Sequence, residues 1–191
     1  TQVGAMTATQ LRGMTTTQIG GPATTDVLEF TSTQIGTFAT TQLGAMSTTN
    51  INAFDTTQLG GLTSTQLGRL SAANLSALDS TQMSSLTTGQ IGGLTAIQIA
   101  GLSSTDALEF ADTQIASFAN TQLAALSATN FSALDSTQMS GLTTTQMAGL
   151  GVTLLRGLNE TDMTEISTTQ LGALNQTQIG ALTSTSFSAL D

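Results

Sequence analysis

The chain has 191 residues, with no Cys, His, Trp, Tyr or Lys, three Arg and a formal net charge of −9. It therefore lacks a thiolate or imidazole for nucleophilic or general-base chemistry, a zinc site of the usual ligands, and any disulfide framework. Three cations, Arg12, Arg69 and Arg156, cannot track the phosphates of a nucleic acid, and no apolar run approaches the roughly 20 residues of a membrane-spanning helix.

From Thr1 onward the sequence divides into octads without insertion or deletion: TQVGAMTA, TQLRGMTT, TQIGGPAT, TDVLEFTS and so on, 23 complete octads and a final TSFSALD. A fixed period implies one small unit repeated, each copy too small to bury its own apolar face and stable only against its neighbours. Residues 1–191 are expected to form a single continuous repeat array. Because the array starts and stops in phase, it reads as a segment of a longer chain.

Within the octad, position 3 is apolar in all 24 copies, from Val3, Leu11 and Ile19 to Phe187, and position 6 in all but Pro22. Position 1 is Thr in 21 copies, position 2 is Gln in 16, and positions 4 and 5 are mostly Gly, Ala or Ser. Position 7 is Ser, Thr, Asp or Asn in 19 copies, Gly at Gly151, and Ala only at Ala23, Ala39, Ala111 and Ala119. These are the residues that cap helix N-termini. The Gln at position 2 then falls three residues after the cap, as in Thr15-Thr16-Thr17-Gln18, which completes a capping box. Positions 3 and 6 lie three apart on one helix face. Each octad thus predicts one short helix of roughly a turn and a half, re-capped at once.

A continuous helix is disfavoured, because eight residues at 100° overshoot two turns by about 80° and the apolar stripe would circle the helix. A β-solenoid is the alternative: Thr favours strands, and a fixed Gln could form an amide ladder. Against it, apolar positions three and five apart would point to opposite faces of a strand. The expected fold is an all-α solenoid, a superhelix of very short capped helices, one per 8-residue repeat.

Acidic residues add a longer period. They fall in the octads of Asp26 and Glu29, Asp55, Asp79, Asp106 with Glu109 and Asp112, Asp135, Glu160, Asp162 with Glu165, and Asp191, at intervals mostly of three or four octads. This spacing predicts about 3.4 octads, or roughly 27 residues, per superhelical turn, with carboxylates along one stripe. Thr25–Thr56 recurs as Thr105–Ser136 and more weakly as Thr161–Asp191, shifts of ten and seven octads. Gene duplication would copy the charges equally well. Phe30, Phe54, Phe110, Phe131 and Phe187 lie in acidic octads, and Phe38 and Phe118 one octad later; they read as filling a wider part of the core.

Two acidic groups, Asp106/Glu109/Asp112 and Glu160/Asp162/Glu165, are the best candidates for weak cation binding. No calcium-loop motif accompanies them, and carboxylates near helix N-termini have a structural rationale of their own. The repeat offers no unique cleft for paired-carboxylate catalysis. An enzyme is not expected, and no catalytic, cofactor-binding or metal residue is assigned.

The segment Ser167–Asn175, STTQLGALN, resembles the octad repeats of long, low-complexity bacterial surface proteins often labelled adhesion or haem-utilisation proteins. The resemblance implies an extracellular, rod-like or filament-forming role at the cell surface, with self-association into filaments. It brings no haem ligand, since His and Cys are absent. The leading expectation is a structural protein of a surface fibre, filament or adhesin stalk. The second is a binding module whose acidic stripe captures cations or a cationic partner. Ice binding by rows of Thr would require the β-solenoid.

Overall fold

A computed structural model describes residues 2–190. Among the described residues there are 23 α-helices, each four to six residues long, and no strand. The β-solenoid, and with it the flat Thr face for ice, is set aside. In the first octad the helix is a single 3-10 turn, Val3–Ala5. No helix among the described residues is long and apolar enough to cross a membrane.

The local logic follows the sequence. Every α-helix begins directly after position 7 of an octad, from Thr7 to Thr183. That residue is extended, as at Thr15 (φ −70°, ψ 160°), and its side-chain oxygen accepts the N–H of the residue three later, Gln18 N to Thr15 Oγ1 at 3.2 Å. Asp55, Asp79 and Asp135 cap in the same way, at 2.7, 2.8 and 2.9 Å. Where position 7 is Ala, as at Ala39, only the reverse bond forms, from the Ala39 N–H to Gln42 Oε1 at 2.8 Å. Helices end because the chain becomes extended near position 6, as at Leu86 (φ −66°, ψ 134°). Among the described residues none, glycine included, has a positive φ. Helix termination here does not use the left-handed glycine that closes many longer helices.

The described chain falls into two compact units, one running to Gly101 and the other beginning at Leu102. In the first, helices pack on the helix three octads along, for example Ser32–Ile35 on Thr56–Gly60, and Thr56–Gly60 on Ser80–Ser85. The second repeats this with Asp112–Ala116 on Ser136–Gly141 and Ser136–Gly141 on Glu160–Glu165. Each unit is a helical solenoid. Its chain returns alongside itself after three to four octads, which agrees with the expected pitch of roughly 27 residues.

Position 3 forms the axis of each core: Leu43, Leu59 and Ile99 in one unit and Phe131, Met139 and Leu155 in the other are all 0% exposed. Position 6 is buried as well from Phe30 to Ile166. Six of the seven phenylalanines are buried, consistent with a core-filling role, and the pairs Phe30–Phe38 and Phe110–Phe118 meet edge to face with ring centroids 5.2 Å apart. Each such pair spans two successive octads of the duplicated motif, so the wider part of the core is filled by an aromatic step.

The small residues at positions 4, 5 and 8 set the spacing between coils. A Cβ on Gly61 would collide with the backbone carbonyl of Ser32, and one on Gly93 with that of Ser64, whereas one on Gly60 would meet nothing within 4 Å. Gly61 thus marks a backbone-to-backbone contact and Gly60 an open site. Gly61→Ala is expected to destabilise the fold by about 1–3 kcal/mol in urea unfolding, since the coil below must move. Gly60→Ala should leave it unchanged or raise it by about 0.5–1 kcal/mol, because Ala restricts the unfolded chain and favours a helix.

Candidate functional site: the amide rungs between coils

A helix of a turn and a half cannot satisfy its own last carbonyls. The Gln at position 2 satisfies them from the next coil. Its Oε1 accepts the N–H of its own cap, as in Thr95 N to Gln98 Oε1 at 2.8 Å. Its Nε2 reaches back 31 and 28 residues, to Leu67 O at 2.8 Å and Leu70 O at 2.9 Å. One neutral side chain therefore joins the N-terminus of one helix to the C-terminus of another. The same pair of bonds is made by Gln42 to Leu11 O and Met14 O, Gln58 to Val27 O and Phe30 O, and Gln90 to Leu59 O and Leu62 O. In the second unit Gln138, Gln146, Gln170 and Gln178 repeat it. These side chains are buried, Gln98 and Gln138 to 2% exposure.

Substitutions at position 2 show why Gln is preferred. Asn50, Asn74 and Asn130 are one methylene shorter and bond only the carbonyl 28 residues back, Pro22 O, Met46 O and Leu102 O. Ser186 also makes that single bond, to Leu158 O at 2.7 Å. Leu154 is buried in the same place with no polar atom to offer, and its helix starts at Gly151 without a side-chain cap.

Asp at this position poses a different problem, since a carboxylate has no proton to donate. Asp162 accepts the Asn159 N–H at 2.8 Å as the Gln would, and the Ser132 hydroxyl from the coil below donates to the same Oδ2. The Asn159 amide in turn donates to Ser132 Oγ at 3.0 Å. Ser132 stands at position 4, four octads before Asp162, where most copies have Gly or Ala. Ser76 has the same relation in sequence to Asp106.

The acidic residues therefore divide by role. Asp55, Asp79 and Asp135 are helix caps, Asp106 and Asp162 are buried at position 2, and Glu109 and Glu165 stand at position 5. Asp191 lies outside the described residues. Among the described residues, no group of three or more acidic side chains is gathered so as to hold a metal ion, the two candidate groups included. Glu165 has a perturbed acidity: burial raises its pKa above the ordinary glutamate value, and the charges of Asp162 and then Asp135 raise it further. Its Oε2 is shut off from water and has no hydrogen-bond partner. The surface hollows are shallow and bland; one is lined by Thr48, Thr49, Asn52 and Ala77, another by Ser104, Ala128, Thr129, Ser132, Ala133 and Gly157.

This repeated short helix, with its rung of amides, defines a repeat protein of the helical solenoid class. Residues 32–72 match the family model of the ALTTAQ repeat. In this chain the corresponding hexad, Gly61-Leu62-Thr63-Ser64-Thr65-Gln66, runs from the buried Leu through the Thr cap to the rung Gln. A comparison with curated proteins finds no match.

The inter-coil bonds were not foreseen from sequence, where Gln served as a cap or as a strand ladder. The signal was present as the coincidence of a fixed Gln with a return of roughly 27 residues. Gln98→Leu should cost about 2–4 kcal/mol in urea unfolding, because Leu67 O and Leu70 O lose a buried donor. Gln98→Asn should cost less, since it keeps one of the two bonds. For Glu165, a raised folded-state pKa means that folding disfavours the charged form. The resulting penalty is absent below the unfolded-state pKa and appears as pH rises through it to the folded-state value. Glu165→Gln should therefore raise the melting temperature at pH 7 and lose that advantage near pH 4, as read by calorimetry across that range.

Proposed function

We propose that this chain is a structural element of an extracellular fibre, filament or adhesin stalk at a bacterial surface. What supports the reading is the use of its polar groups: nearly every octad directs its caps and its amide to joining coils, and the hollows between them carry no convergent titratable side chains. A solenoid so built resists extension by sharing load over many equivalent rungs. The function is mechanical, namely reach, stiffness and a neutral polar coat of Thr and Ser, and no chemical step is assigned. The resemblance of STTQLGALN to repeats of bacterial surface proteins supports a location outside the cell.

Capture of a cationic partner along the acidic residues is the weaker reading. Asp55, Asp79 and Asp135 already direct one oxygen each to a helix N–H, so their alanine variants should weaken the fold before they reveal a ligand. On intact cells that make the protein, brief protease treatment with immunogold labelling should find the repeat outside the envelope, on fibrous material. Recovery of the repeat only from the cytosol after lysis would sink this reading.

A further inference from the structure

Within the second unit the row of amide rungs is broken over two successive octads. Gln138 and Gln146 on one side of the break, and Gln170 and Gln178 on the other, each bond two carbonyls of the coil beneath. Between them position 2 is Leu154 and then Asp162, an apolar side chain and a carboxylate, and neither donates. The 28-residue step of the rung leads from these two to the carbonyls of Leu126 and Leu134. Neither carbonyl accepts a hydrogen bond among the described residues, and both residues are buried. Their equivalents under Gln146 and Gln170, Phe118 O and Leu142 O, are bonded at 2.9 and 2.8 Å.

The local bonds are loosest in the same place. The helix Val152–Arg156 starts at Gly151 with no side-chain cap, and its first helical bond, Leu155 N to Gly151 O, is 3.4 Å long. The corresponding bonds from Met139 to Asp135 and from Met147 to Thr143 are 2.8 and 2.9 Å. On the next helix, Glu160–Glu165, Glu165 Oε2 is shut off from water without a partner. Among the described residues, the polar ties of these two helices to the coil beneath all run through Ser132, which donates to Asp162 and accepts from Asn159. One hydroxyl stands where two Gln would make four bonds. Eighty residues earlier in the duplicated sequence the ties are intact. Ser71 caps its helix, Asn74 bonds Met46 O at 3.2 Å, and Gln82 bonds Asn52 O and Phe54 O, both at 2.7 Å.

We infer that the helices Val152–Arg156 and Glu160–Glu165 form a yielding joint, a segment that lifts from the coil beneath while the rungs of Gln138 and Gln146 stay closed. Its apolar side chains, Leu155, Leu158 and Met163, are buried and hold it shut at rest. Apolar burial is not directional, so the segment can part and reseat without a matched set of hydrogen bonds to remake. Under tension the joint gives length first and spares the rungs before it. That use rests on the reading of the chain as a structural element, whereas the opening itself does not.

Native-state hydrogen exchange of the purified chain, read by mass spectrometry, tests the joint. Amides of residues 152–166 should exchange at least about tenfold faster than those of 136–149 and of 72–86, the effect of roughly one net buried hydrogen bond. Leu154→Gln, which offers Leu123 O and Leu126 O the missing donor, should slow residues 152–166 by about tenfold and leave 72–86 unchanged. If far-UV circular dichroism shows that this variant is not helical, the converse change decides. Asn74→Leu/Gln82→Asp should quicken exchange over residues 72–86 by about tenfold or more. Equal protection of 152–166 and 72–86 in the parent chain, or a folded variant of either kind that leaves its own segment unmoved, would overturn the joint. None of these results bears on the labelling of intact cells, so the joint and the surface-fibre reading fail independently.

Discussion

A side-chain amide can accept at one end and donate at the other, and this solenoid depends on that. A helix of four to six residues leaves most of its backbone polar groups without partners, and burying them unpaired would cost more than two apolar residues per octad return. Longer helices in globular domains dilute this problem over many internal bonds. Here the unit is almost all terminus. The Gln at position 2 resolves both termini, taking the cap N–H on one side and two carbonyls of the preceding coil on the other, as Gln98 does with Thr95, Leu67 and Leu70. Everything else in the octad serves that reach. Small residues such as Gly61 let backbones approach, and the position-3 residues fill the axis so that the rung is dry.

Much of this was legible in the amino-acid sequence, because it is local. The cap at position 7 and the Gln three residues later constitute a motif whose geometry is contained within one octad, and Thr15 with Gln18 adopts it as read. The pitch of roughly 27 residues was also accessible, since charges in neighbouring coils align at whole-octad intervals. What stayed hidden were relations between residues about 30 apart. The second half of each Gln amide, and the match of Ser132 with Asp162, join positions that no local pattern connects. The acidic stripe shows the same limit. Composition groups Asp55, Asp106 and Glu165 together, while the structure makes one a cap, one a buried rung and one a strained neighbour of other carboxylates. Glycine shows a further case: with no positive φ among the described residues, its role is clearance between coils rather than turning the chain.

The resulting cohesion is nearly charge-free. Rungs, caps and core are neutral apart from a few Asp, and three Arg are the only cations. Of these Arg12 donates to the Thr37 carbonyl of a neighbouring coil at 3.2 Å, acting as one more amide-like donor. Interactions of this kind are little screened by salt. The net negative charge then acts mainly at long range, as a repulsion between separate chains.

Near-identical octads carry a hazard: a coil displaced by one unit would find almost the same partners, and a folding chain could lock into the wrong alignment. The exchange of Gly or Ala for Ser at position 4, four octads ahead of an Asp rung, works against that error. Shifted by one octad so as to oppose Ala124, Asp162 would lose the Ser132 hydroxyl and face carbonyl oxygens alone, a repulsive arrangement in a dry site, whereas a shift the other way would offer it Ser140. The few departures from the consensus thus act as proofreading marks against slippage in one direction, and it is the imperfect copies that make a monotonous text harder to misread.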